Sequence, residues 1–248
     1  MPVDPTRRLA AVAVLATLAA CASKPKFAGK PVVTKIALIP ATEPFALTLE
    51  NRNQVAQVIV PISSIAFTLD SKDKANRLNQ RLAGSRPSTA PKLTLIVVEA
   101  LRAAGYPVEV LDNLARDPED PDDIDFAKIK TDAEAIVQLR VMEIGVYSSS
   151  LSPDYLPRVN VDGKIYIRAR DDSVYDETLY YGADAKEGKP WAIVADRRYA
   201  YPTFDDVMGR ADELRTVFEE ATVALARLMA RQMQDALAKQ TLKAPALT

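Results

Sequence analysis

The chain has no histidine among its 248 residues. This absence removes the usual general base near neutral pH, the Ser-His-Asp and Cys-His nucleophile systems, and histidine-based metal sites. A single cysteine, Cys21, leaves no thiols for a disulfide or a cysteine-based zinc site. Charge of either sign is also not in excess: 32 Lys and Arg stand against 33 Asp and Glu, so nothing in the balance favours a nucleic acid partner. Aromatic residues make up only 6% of the chain, which counts against a glycan-processing cleft. Carboxylate chemistry alone passes these filters, and it needs two acids brought together in space. No cofactor, metal or catalytic residue is expected, and the chain reads as a non-enzyme.

What is present begins at Arg7-Arg8, followed by an uncharged run, mostly of small apolar residues, from Leu9 to Ala19, the layout of an export signal too short to span a bilayer. Leu18-Ala19-Ala20-Cys21 resembles the lipobox of bacterial lipoproteins. That resemblance implies cleavage before Cys21, a thioether-linked diacylglycerol on its thiol, and acylation of the new amino group. Two or three acyl chains hold a protein on a membrane stably, where one does not. Ala22, rather than Asp, follows the cysteine; the family's sorting rule then favours the periplasmic face of the outer membrane over the inner membrane. Residues 1–20 are therefore expected to be a signal peptide, 21–34 a lipidated tether reaching at most ~45 Å, 35–240 a single α+β periplasmic domain, and 241–248 a flexible tail.

Within the domain, KIALIP (35–40) reads as a buried strand ended by proline. Residues 53–69 carry no charge and contain Pro61; they are expected to form two short apolar strands or a buried hairpin, the alternative being a membrane-inserting hairpin. A helix is expected over 71–84. A second opens at Pro91 and is capped by Gly105, with Leu93, Ile96, Val97, Ala100, Leu101 and Ala104 on one face. YPVEVL then returns as a strand, completing a β-α-β element. The acidic run 117–125 lacks the order of a calcium loop, so Asp122 or Asp123 is read as the cap of a short helix, 124–130. Alternation over 135–147 shifts phase near Glu143, which predicts a bulge. Residues 160–170 alternate with Asn160, Asp162, Lys164, Tyr166, Arg168 and Arg170 on a wet face; 174–182 returns as the hairpin partner after a turn at 171–173. Trp191 is expected as a core plug. A long amphipathic helix closes the chain over 211–238, with Leu214, Val217, Phe218, Ala221, Leu225, Leu228, Gln232 and Ala236 inward. The fold class is α+β: a mixed, mostly antiparallel sheet with packed helices.

Eight of nine tyrosines fall between Tyr147 and Tyr201. Tyrosine and arginine anchor many interfaces, so Tyr155, Arg158, Tyr199 and Tyr201, read as loop residues, are the candidates for partner binding. KIALIP, LTLIVVEALRAAGYPVEVL and KIYIRARDDSVYDETLYYG together resemble a group of envelope proteins: the curli-secretion lipoprotein, the lipoprotein activators of peptidoglycan synthases, and the N-terminal domain of the Tol-system propeller protein. That resemblance implies a non-catalytic protein-binding or envelope-assembly role, with oligomerisation possible. Two alternatives stay open: a subunit of an oligomeric outer-membrane export pore, and a carboxylate-dependent hydrolase of envelope glycan.

Overall fold

Four uninterrupted apolar residues, Ile36–Ile39, form strand β1 and are wholly buried, as expected for a strand covered on both faces. The computed structural model describes residues 33–51, 64–116, 120, 122–149 and 154–240, with backbone only over 64–69. Val33–Gln240 forms one compact unit. After β1 come β2 (Thr48–Asn51), α1 (Ser64–Leu82), α2 (Thr89–Ala103), β3 (Val108–Val110), β4 (Ala135–Ser148), β5 (Tyr155–Ile167), β6 (Asp172–Gly182), β7 (Ala192–Ile193), α3 (Phe204–Gly209) and α4 (Ala211–Ala238).

The seven strands among the described residues make one mixed α+β sheet in the order β3-β1-β4-β5-β6-β7, with β2 beside the second half of β4. The long strands β4, β5 and β6 pair antiparallel, and the short ones join in parallel. β1 and β3 are parallel neighbours joined through a crossover that includes α2, the expected β-α-β element. Gly105, at φ 93°, ends α2 in the conformation that glycine adopts without strain. The bulge falls where the alternation breaks: Val141 pairs with Val161 and Glu143 with Asn160, leaving Met142 unpaired and exposed.

Helix α4 crosses β5 and β6, and α2 packs on both α4 and β4. Gly163 makes this approach possible, because a Cβ there would stand 2.7 Å from the sulfur of Met229 and from the methyl of Met233. The ends of α4 fall where the sequence places them, but its last buried turns do not. Met229, Met233 and Leu237 face inward, while Leu228, Gln232 and Ala236 are only part-buried. The stripe winds round the helix because two flexible methionines fill the groove over Gly163. On the opposite face of the sheet a smaller core joins Ala37, Ile39, Ile129, Ala133 and Ile136, covered by Ile124, Phe126 and Tyr166.

Several expectations are corrected. Ser64–Leu69 belongs to helix α1 and not to a strand, so the helix begins seven residues before Ser71. A short apolar run has no decisive period, and nothing between Ser64 and Ser71 interrupts a helix growing upstream. Residues 53–63, the rest of that stretch, lie outside the described residues. α2 starts at Thr89, ahead of Pro91, because proline is tolerated anywhere in a first turn. Asp125 caps the short turn Phe126–Lys128, accepting from the Ala127 N–H, in place of Asp122 or Asp123. β5 starts at Tyr155 and ends at Ile167; the reversal occupies Arg168–Asp171, with Asp171 at φ 51°. Finally, the wet face of β5 is not wet throughout. Asn160 and Asp162 are 6% and 5% exposed, since Asp162 accepts from Arg140 Nε and Nη2 (2.9 and 2.6 Å) and from Thr178 (3.0 Å).

Candidate functional site

Of the residues singled out from the sequence, Cys21 lies outside the described residues. Tyr155, Tyr199 and Tyr201 are buried. Tyr155 opens strand β5 and is bridged to Tyr201, each amide donating to the other's carbonyl at 2.8 and 3.0 Å. The Tyr155 hydroxyl accepts from Asn51 at 3.1 Å. Tyr199 donates to Glu220 (3.0 Å) on α4 and accepts from Arg198 (2.8 Å). The Arg210 guanidinium lies 4.5 Å from the centre of the Tyr201 ring, whose hydroxyl has no hydrogen-bond partner among the described residues. Burial pushes that phenol up to about 12. The loop assignment of Tyr155 and Arg158 is thus corrected to strand. The tyrosines pin the segment before α3 to the sheet and present almost no surface to a partner.

Arg158 sits elsewhere on β5 in a charged cluster. Its side chain is 13% exposed. It donates to Glu143 at 2.8 Å and to Asp184 at 2.5 and 3.1 Å, approaches Glu50 at 3.7 Å, and stacks 4.7 Å from the Tyr147 ring centre. Gly182 builds this arrangement. It ends β6 at φ 80°, where a Cβ would lie 1.8 Å from the Pro157 carbonyl oxygen, and the turn it allows swings Asp184 back over Arg158. Burial raises the Glu143 carboxyl above its ordinary range against the pull of Arg158, and the neighbouring charges of Glu50 and Asp184 add to the rise. A raised carboxyl beside a second acid is the starting point of glycan hydrolysis. Here, however, one guanidinium bonds both Glu143 and Asp184. The cluster ties together β2, β4, β5 and the loop after β6, and it works as a lock.

The site that sequence reasoning missed is the β1–β2 loop, residues 40–47. Helix α2 has no side-chain cap of its own at Ser88. Glu43 reaches across from the loop and accepts from the Thr89 and Ala90 amides at 3.3 and 2.6 Å, placing a carboxylate on the helix N-terminus, where it is stabilised. Arg86 donates to the carbonyls of Pro44 and Phe45, the latter at 2.7 Å. Asn79 on α1 holds Leu47 from both sides, accepting from its amide at 2.8 Å and donating to its carbonyl at 2.9 Å. Ala41 donates to Thr94 (3.1 Å), and Pro40 accepts from Arg116 (2.6 Å). Clamped in this way, the loop holds the Phe45 side chain 100% exposed. Leaving a phenylalanine in water forgoes about 1.5–3 kcal/mol of burial. The signal available in sequence was slight: one aromatic in TEPFAL between two strands.

No protein-family model matches the chain, and no curated protein matches it. Among solved structures it is similar to a PelC variant dodecamer from Paraburkholderia phytofirmans, at 12% identity over 87% of this chain and 96% of that one, TM-score 0.34. A Xanthomonas campestris protein of the family DUF330 is similar at 10% identity over 86% and 94%, TM-score 0.32. A minor lipoprotein from Acinetobacter baumannii is similar at 18% identity over 64% and 94%, TM-score 0.29. Likeness at this level leaves function to be argued from the chain's own residues.

Proposed function

We propose that the chain is a lipid-anchored protein of the bacterial envelope, held through Cys21 at the periplasmic face of the outer membrane, that works without catalysis by docking another envelope protein on the Phe45 loop. The observation that carries the docking role is Phe45 itself. A mobile loop with an exposed aromatic needs no explanation, but this one is fixed by side chains from α1, α2 and the segment after β3. A loop backbone already held in place loses little freedom on binding, which raises affinity for a given contact area. Aromatic anchors of this kind dominate interface energies. The anchoring role rests on the lipobox residues Leu18 to Cys21. No helix among the described residues is long and apolar enough to cross a membrane, and a lipid anchor needs none.

The test pairs two variants of the full chain in its native membrane. Phe45→Ala is expected to keep the melting temperature while weakening recovery of a crosslinked partner about tenfold or more, as for a hot-spot residue. Cys21→Ser is expected to abolish palmitate incorporation. A lower melting temperature with unchanged crosslinking at Phe45→Ala would show that the side chain packs and does not dock. Equal palmitate labelling in wild type and Cys21→Ser would remove the anchor.

A further inference from the structure

The single tryptophan of the chain, Trp191, is half-buried and stands in the wall of a surface cavity of about 330 Å³, between the first half of β6, the approach to β7 and the last turns of α4. That volume lies at the low end of the range for small-ligand sites. The walls are held in place. Tyr180 packs against the indole at 5.4 Å, and its amide donates to the Trp191 carbonyl at 3.0 Å. On the helix side Gln232 donates to the Pro190 carbonyl and accepts from the Tyr175 hydroxyl, both at 2.9 Å. Around the mouth stand Glu177, Asp235 and Lys239, all exposed and none in an ion pair with another described residue.

This mixture narrows the ligand. Three charged heads at the mouth disfavour a purely apolar guest, since each loses water without gaining a polar partner where such a guest covers it. Two carboxylates oppose an anion, and the ammonium of Lys239 offsets part of their pull on a simple cation. A neutral molecule with many hydroxyls and one apolar C–H face satisfies every group: carboxylates accept from hydroxyls, the ammonium donates to them, and the indole covers the C–H face. We propose that this cavity binds a neutral saccharide, with Trp191 against its C–H face and Glu177, Asp235 and Lys239 on its hydroxyls. The site is separate from the Phe45 loop and does not depend on it.

Because there is one tryptophan, indole emission of the full chain in detergent reports on this cavity alone. Chitotetraose and maltotetraose are the probes, with tetralysine as a charged comparison. A saturable emission change with either sugar is expected, weakened about tenfold in Glu177→Gln and in Asp235→Asn, since each loses charge-assisted hydrogen bonds. The proposal is overturned if neither sugar gives a saturable change, if both variants bind sugar as wild type does, or if tetralysine alone saturates the response.

Discussion

Replacing Arg158 by methionine keeps the bulk of the side chain and removes the cation that Glu143, Asp184 and Glu50 surround. Breaking a buried ion pair by deleting one partner costs ~3–5 kcal/mol. The guanidinium is 13% exposed and the three acids 21%, 23% and 38%, so water relieves part of the penalty and the low end, about 3 kcal/mol at neutral pH, is expected. For a domain of this size that corresponds to a melting temperature lower by about 6–12 °C. The pH dependence identifies the cause. Glu143 already has a raised pKa in the folded chain, so its contribution favours folding most at low pH and is lost as pH rises through the folded value. Without Arg158 nothing strong pulls that value down, and it rises further. The penalty of Arg158→Met is therefore larger at high pH, where Glu143 is ionised in both proteins, and shrinks as pH falls through the raised folded-state values, which lie above the ordinary glutamate range and below which Glu143 is neutral in both. Urea unfolding followed by circular dichroism at pH 8 and pH 5 measures both. Adding Glu143→Gln should restore a large part of the loss at pH 8. A loss under about 1 kcal/mol, or one equal at the two pH values, would refute the reasoning.

Two further substitutions test the packing that frames the sites. Gly145→Ala places a Cβ 2.0 Å from the carbonyl oxygen of Thr48; backbone cannot yield as a side chain can, so a loss of about 3 kcal/mol and faster hydrogen exchange along β2 are expected, and a wild-type exchange pattern would contradict the close β2–β4 approach. Tyr201→Phe removes a buried hydroxyl that has no partner among the described residues, so stability should hold or rise by up to about 1 kcal/mol, whereas Tyr201→Ala should lose about 3–5 kcal/mol by opening a cavity. Thermal melts that rank these two variants in the opposite order would return Tyr201 to the surface.

The parts of the fold legible in the sequence are those where one element's own pattern decides the outcome. β1 is a continuous apolar run, the bulge at Met142 is a break in strict alternation, and α4 has sustained helical periodicity over its whole length. Ser64–Leu69 was not legible for the same reason turned round: six residues of mixed apolar and hydroxyl type fit either period, and the decision comes from the helix that follows them.

The candidate sites escaped for a different reason. Tyrosine is favoured at interfaces because it covers area and carries one polar tip, and it suits a strand beside a helix on the same grounds. Composition cannot separate the two uses; topology does, by laying α4 over Tyr199 and bridging Tyr155 to Tyr201. At Phe45 the decisive facts are likewise remote from it in sequence. Glu43 caps a helix that starts at Thr89, Asn79 holds Leu47, and Arg86 holds Phe45 itself, each from 32 to 47 positions away. Read locally, TEPFAL is an unremarkable loop. Folded, it is a loop held by hydrogen bonds between Glu43, Pro44, Phe45 and Leu47 and remote partners while its one aromatic is turned out, the reverse of what burial alone would select. That inversion is the ground of the proposed docking role: the hydrogen bonds fix the backbone and leave the Phe45 ring in water.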